Sequence, residues 1–220
     1  MASRKPKDSD HNRLVKMNSK FLPVLALLGL CAFGSSAESE SPFPWKFGKC
    51  LVPPVVEEFQ VEKFFNGHWY QQASFGDFLF TANGVCPTRE YQVVEDEVRE
   101  LDYHYEQWLA KYVTVYGNSK TNFFKKGKAY FPMTYHLLNG LVQYVAPTYV
   151  VATDYVTWAL VYSCKQNLFL KTESAWLMAR SRTGWNVTAE VNKTMTDAGL
   201  KLADFTFATN VGCGPNEPHL

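Results

Sequence analysis

The sequence predicts an all-β fold, either an antiparallel sandwich or a barrel, with a single helix near its carboxyl end. Seven or eight short runs rich in Tyr, Val, Phe, Thr and Trp recur at a spacing of about ten residues, and turn-forming residues separate them. Only Asn186–Leu200 has helical periodicity, because it places four apolar residues on one stripe: Val187, Val191, Met195 and Ala198. Gly199 is a typical end for such a helix.

The strand-like runs follow one another along the chain before the helix begins. The clearest are Tyr91–Val94, Lys111–Tyr116, Lys128–Leu137, Tyr149–Thr153, Trp158–Ser163 and Phe169–Arg180, with a last short strand at Asp204–Thr209. Predicted turns lie at Asn83-Gly84, Glu95–Glu97, Gly117–Ser119, Lys126-Gly127, Asn139-Gly140 and Lys165–Asn167. Because strands and helix are segregated, the order favours a barrel.

The amino-terminal segment has the composition of a secretory signal peptide. Met1–Lys20 carries six basic and two acidic residues, and the apolar run Phe21–Phe33 and the small residues Ser35–Ala37 follow it. The apolar run is too short to span a bilayer, which needs about 20 residues. We therefore expect residues 1–37 to be a leader, cleaved after Ala37, and residues 38–220 to form one secreted, extracellular domain with no transmembrane segment. Translation from Met17 would give a more ordinary signal.

Charge and cysteine content limit the function of the remaining chain. Its 16 Lys and Arg against 19 Asp and Glu give a formal charge of −3, with no basic cluster typical of nucleic-acid binding. Four cysteines remain, and an even number in a secreted chain predicts two disulfides with three possible pairings. The four are Cys50, Cys86, Cys164 and Cys213. Asn186 and Asn192 begin N-glycosylation sequons.

Motifs for catalysis are absent from the sequence. There is no HExxH, GxSxG or phosphate-binding glycine loop, so we expect no catalytic residues, no metal site and no required cofactor. Asp102, His104 and Glu106 share one face of a strand and would bind a polar ligand group if that face pointed inward. Burial of the apolar residues between them instead favours an outward orientation. Cys86 would be a nucleophile only as a free thiol, and pairing is the stronger expectation.

Aromatic residues make up 15% of the chain, and tyrosines dominate the strands. The simplest explanation of the high aromatic content is a closely packed hydrophobic core. A tyrosine-rich barrel wall would also stack on a flat, conjugated ligand and form hydrogen bonds with its polar edges.

Three motifs follow one another along the chain: Gly67-His68-Trp69, Thr153-Asp154-Tyr155, and Arg180, which ends SAWLMAR. In this order they resemble the three signatures of the lipocalin family, and the surrounding segments are similar to those of its apolipoprotein D and insect bilin-binding members. The resemblance covers about Phe47–Gly214. It implies an eight-stranded antiparallel up-and-down barrel with one carboxyl-terminal helix packed outside.

The resemblance also implies residue roles. Cys50 would pair with Cys164 and Cys86 with Cys213, and Arg180 would lie across the ring of Trp69 at the narrow end of the barrel. Tyr91 and Trp176 align with ligand-contacting positions of the family. Strand alternation and aromatic character add four further candidate ligand contacts: Tyr135, Phe131, Met178 and Tyr149.

The resemblance implies a secreted, non-enzymatic carrier. The favoured ligand is a bile pigment such as biliverdin, with a fatty acid, sterol, retinoid or carotenoid as further classes. An isomerase that uses a barrel thiol and a scaffold protein without a ligand are the alternatives, and homo-oligomerisation stays open.

Overall fold

A computed structural model of the chain describes residues 45–76, 84–124 and 126–220. The predicted leader, its cleavage after Ala37 and residue 83 of the predicted turn lie outside this part of the chain. Within it, two α-helices and ten strands follow in chain order. They are β1 (Lys46–Phe47), α1 (Val61–Phe64), β2 (Gly67–Phe75), β3 (Val85–Val94), β4 (Glu97–Glu106), β5 (Lys111–Lys120), β6 (Tyr130–Leu137), β7 (Val142–Thr153), β8 (Trp158–Asn167), β9 (Leu170–Ala179), α2 (Ala189–Asp197) and β10 (Thr206–Phe207).

Strands β2 to β9 form a closed antiparallel barrel. Each strand pairs with the next in sequence, and β9 also pairs with β2, from Tyr70 opposite Ala179 to Phe75 opposite Ala175. The short strands β1 and β10 extend β9 and β2 at their edges. The structure thus confirms the predicted eight-stranded up-and-down barrel with one carboxyl-terminal helix outside.

Two of the predicted turns are wrong, because one segment lies inside a strand and the other forms the carboxyl-terminal end of a strand. Gly117–Ser119 lies in β5, where it pairs with β4 and β6, and Lys165–Asn167 lies in β8. Gly117 allows close packing: a Cβ atom there would lie 3.1 Å from ring atoms of Tyr135, which is tighter than an ordinary contact. Its missing side chain leaves room for a ring, and it does not form a turn.

The helix α2 packs on the outside of the barrel through the predicted apolar stripe. Val191, Met195 and Ala198 are buried against the outer side chains of β8 and β9, including Leu160 and Leu177. Thr188 caps the helix, since its Oγ1 accepts a hydrogen bond from the backbone N–H of Val191. The regular helix is shorter than the predicted span Asn186–Leu200.

The alternating hairpins give the barrel two different ends. The β4–β5, β6–β7 and β8–β9 turns lie at one end, which we call the mouth, and α1 and the β3–β4 and β7–β8 turns lie at the other, the closed end. Exposed apolar side chains are concentrated at the mouth: Trp108, Leu109, Leu138, Leu141, Leu168 and Phe169. In the described ranges, no helix combines the length and apolar character needed to cross a membrane.

Both implied disulfides are present. Cys50–Cys164 joins the amino-terminal arm to β8, and Cys86–Cys213 joins the carboxyl-terminal tail to β3. Cys86 therefore lacks the free thiol that the isomerase alternative requires.

Candidate functional site in the barrel interior

The closed end of the barrel is sealed by Trp69 and Arg180. The guanidinium carbon of Arg180 lies 3.7 Å from the centroid of the fully buried Trp69 ring. Its nitrogens donate hydrogen bonds to five backbone carbonyls, those of Lys63, Phe64, Asn66, His68 and Tyr155. Burial lowers the pKa of Arg180 to about 10, so the side chain stays charged at neutral pH. This arrangement confirms the implied pairing of the two residues.

The Thr153–Tyr155 motif forms the β7–β8 turn at the same end. Asp154 Oδ1 accepts hydrogen bonds from the backbone N–H groups of Val156, Thr157 and Trp158. Burial alone would raise the pKa of Asp154, but these bonds and one from the Thr157 hydroxyl outweigh it and lower the pKa. The motif is therefore a structural turn, placed away from the mouth.

Five of the six predicted ligand contacts lie together inside the barrel. Tyr91, Phe131, Tyr135, Trp176 and Met178 belong to one buried cluster with Trp69, and each is at most 5% exposed. Their role as ligand contacts stays a prediction.

Tyr149 is the exception, and its assignment to the inner wall is wrong. Its ring stacks on Tyr130 at 4.6 Å and packs against Tyr162 in the cluster outside the barrel. Its neighbour Val150 is the one that joins the inner cluster. Since successive residues of a strand face opposite sides, Tyr149 points outward.

A charged cluster lies among these inner rings. The guanidinium of Arg89 lies 4.2 Å from the centroid of the Trp176 ring, and its Nε atom is 3.2 Å from Asp102 Oδ2 and 3.6 Å from Glu100 Oε1. The Tyr135 hydroxyl donates to Glu100 Oε1 at 3.3 Å. The Nη2 atom of Arg89 is buried and has no hydrogen-bond partner within the protein.

Burial dominates the ionisation of this cluster. It raises the pKa of Glu100 to about 7 and also raises that of Asp102, although the nearby Arg89 charge opposes both shifts. For Arg89, burial would lower the pKa, but the charge of Asp102 and the surrounding acidic groups outweigh it and raise the pKa. At neutral pH the cluster therefore holds the charged Arg89 beside Glu100, whose carboxyl group lies close to its titration midpoint.

The orientation of β4 differs from the one that burial of its apolar residues favours. Asp102 bonds to the inward-facing Arg89, and His104 is 6% exposed on the same face, 3.1 Å from Glu106. Tyr103, on the opposite face, is buried as well, because the carboxyl-terminal tail covers it and Glu217 accepts its hydroxyl hydrogen bond. Both faces of β4 are thus covered, and burial of Tyr103 does not identify the inner face.

Arg89 and Glu100 are site residues that the sequence analysis missed. Arg89 lies two residues before the predicted wall residue Tyr91, and Glu100 lies two residues before Asp102. Period-2 alternation from those positions was the available signal. Alternation alone does not single them out, because a buried charge is unfavourable without a partner, and the partner lies on a different strand.

Comparisons with known proteins agree with this architecture. Residues 51–220 match the family model described as Nitrophorin. Apolipoprotein D of Macaca fascicularis is 31% identical over 166 residues, which cover 72% of this chain and 79% of the relative. The Lazarillo protein of Schistocerca americana is 24% identical over 190 residues, which cover 84% of this chain and 82% of the relative.

Two solved structures show the same fold. Insecticyanin from the tobacco hornworm Manduca sexta has a TM-score of 0.64 at 20% identity, over 77% of this chain and 92% of that one. The tryptamine complex of the amine-binding protein of Rhodnius prolixus has a TM-score of 0.62 at 17% identity, over 76% of this chain and 88% of that one.

Proposed function

This chain belongs to the lipocalin family, and from that premise we propose that its barrel binds and carries one small, flat, conjugated molecule with polar groups at its edge. A bile pigment such as biliverdin is the favoured ligand. The observation that carries this proposal is the ring-lined interior in which Arg89 stacks on Trp176 and keeps one buried N–H group without a partner.

The unpartnered nitrogen favours a ligand with a hydrogen-bond acceptor. A buried N–H without an acceptor costs about 1–3 kcal/mol, so a carbonyl or carboxylate oxygen of a ligand would relieve this cost. The rings of Trp176, Tyr91 and Tyr135 supply apolar surface around that point. Because these side chains are almost fully buried, the ligand would lie between them and the mouth of the barrel and contact the side of the cluster that faces the mouth.

Apolar burial would provide most of the affinity. Each Å² of apolar surface removed from water contributes about 25 cal/mol, less the cost of association. The exposed apolar side chains at the mouth, such as Trp108 and Leu141, would contact an apolar ligand on its way in.

A cationic amine is the second candidate, favoured by the excess of carboxyl groups over cations in the cluster. Glu100 and Asp102 face one guanidinium, and a ligand ammonium near Glu100 would favour its ionised form. The Rhodnius prolixus protein with the related fold is an amine-binding protein solved with tryptamine. This candidate shares the site and differs in which side chain holds the polar group.

We further propose that the chain works outside the cell as a glycoprotein. The two disulfides fit an oxidising compartment, and both sequon asparagines, Asn186 and Asn192, are exposed. A carrier that acts by binding alone is the corresponding non-enzymatic role.

Titration of the full chain with biliverdin and with tryptamine tests the proposal and separates its two forms. One biliverdin molecule should bind per chain, and its visible absorbance should shift on binding. The variants Tyr135→Phe and Trp176→Phe should each weaken biliverdin binding. Glu100→Gln should weaken tryptamine selectively if the amine is the ligand. The matched control is Tyr130→Phe, an outer-face tyrosine. Failure of both ligands to bind would contradict the proposal.

A further inference from the structure

A group of potential metal ligands lies on the outer surface of the barrel, apart from the interior site. His68 of β2 and Glu90 of β3 stand opposite each other in the strand register, and the tail brings His219 to them. One donor atom from each residue lies within 4.8 Å of the other two. His68 Nε2 is 3.9 Å and His219 Nδ1 is 3.5 Å from Glu90 Oε2.

We propose that these three side chains bind a divalent metal ion of the zinc and copper class and thereby fasten the tail to the barrel. Two imidazoles and one carboxylate are a donor set that suits zinc, with water completing the shell. Donors around a tetrahedral zinc ion stand roughly 3.4 Å apart, so contraction on the order of 1 Å completes the site. Glutamate oxygen and imidazole nitrogen favour this class over magnesium or calcium.

The surroundings hold the three ligands in place. The ring of His68 stacks on Tyr70 with an angle of 7° between the planes, and the Leu220 N–H donates to Glu90 Oε2 at 3.0 Å. The tail is anchored before His219 by the Cys86–Cys213 disulfide and by the Tyr103–Glu217 hydrogen bond. A metal ion therefore meets ligands whose backbones are already restrained, which lowers the entropy cost of binding.

The two arginines near this surface already have hydrogen-bond acceptors within the protein. Arg182 forms two hydrogen bonds with Glu217, at 2.7 and 2.6 Å, and Arg180 donates to backbone carbonyls at the closed end. Their charges are thus partly compensated before a metal ion arrives. The side chain of His219 is 65% exposed, which gives the ion access from solvent.

Isothermal titration of the full, untagged chain with ZnCl₂ tests this site, with MgCl₂ as the metal control. One zinc ion per chain should bind, and His219→Ala and Glu90→Gln should each weaken binding at least tenfold. His136→Gln, which changes a histidine on the outer face of β6, should leave zinc affinity unchanged. Because His219 is exposed in the tail, its substitution leaves the folded barrel intact.

Hydrogen exchange of the tail supplies the second readout. Zinc should slow exchange of residues 214–220 in the native chain and leave the His219→Ala variant unaffected. Absence of stoichiometric zinc binding, or equal binding by the native chain and the His219→Ala variant, would overturn the proposal.

Discussion

At the scale of single residues, the charge pair Arg89–Asp102 is the most unusual feature of the barrel. Both side chains are buried, and a buried pair that loses one member leaves an uncompensated charge. We predict that Arg89→Met lowers the free energy of unfolding by about 3–5 kcal/mol, measured by urea denaturation.

The control for this prediction is the more exposed pair of Arg99 and Glu97. Arg99→Met should cost no more than about 1 kcal/mol, because solvent screens the 42% exposed Arg99 side chain. The double variant Arg89→Met, Asp102→Leu should recover stability relative to Arg89→Met alone. Equal losses for Arg89→Met and Arg99→Met would show that the buried charge is not the cause.

Glu100 gives the fold a pH dependence with a defined sign. Its pKa is raised by burial from 4.5 to about 7, so the folded state keeps a proton that the unfolded chain releases across this interval. The free energy of unfolding should therefore fall as pH rises from 4.5 to 7, by about 3 kcal/mol at most.

The variant Glu100→Gln isolates this contribution. Urea denaturation across the same pH range should give a flatter profile, with a remaining slope of the same sign from Asp102, whose pKa is also raised. An unchanged slope in the variant would assign the pH dependence to other groups.

At the scale of elements, the cap of α2 can be tested separately from glycosylation. Thr188 both caps the helix and completes the sequon of Asn186. Thr188→Ala should lower the free energy of unfolding by about 1 kcal/mol in protein made in bacteria, where no glycan is added. Asn186→Gln removes the sequon and keeps the cap, so it should leave stability unchanged there. Equal effects would contradict the capping role.

The elements also show how far sequence patterns lead. The barrel and its outer helix could be predicted from strand composition, the apolar stripe of α2 and three short motifs. The inner face of β4 was not predictable from alternation, because the tail buries Tyr103 from outside while Arg89 neutralises Asp102 inside. Tyr149 was misplaced for a related reason: an aromatic residue in a strand suits either face of a barrel that is covered on its outside.

At the scale of the whole molecule, long-range links join segments that no local pattern connects. The Cys86–Cys213 disulfide closes a separation of 127 residues and holds the tail over β3 to β5. Replacing both cysteines with serine should lower the free energy of unfolding by roughly 2–5 kcal/mol. Calorimetry measures this loss, and an unchanged melting temperature would show that the tail adds nothing to the fold.

At the same scale, we propose that the ring-lined interior carries a small conjugated molecule. Native mass spectrometry of the protein purified from its own source, together with an absorbance spectrum of the same sample, tests it most directly. We expect one small molecule per chain and an absorbance band from that molecule. A chain that carries nothing there and binds neither biliverdin nor tryptamine afterwards would contradict it.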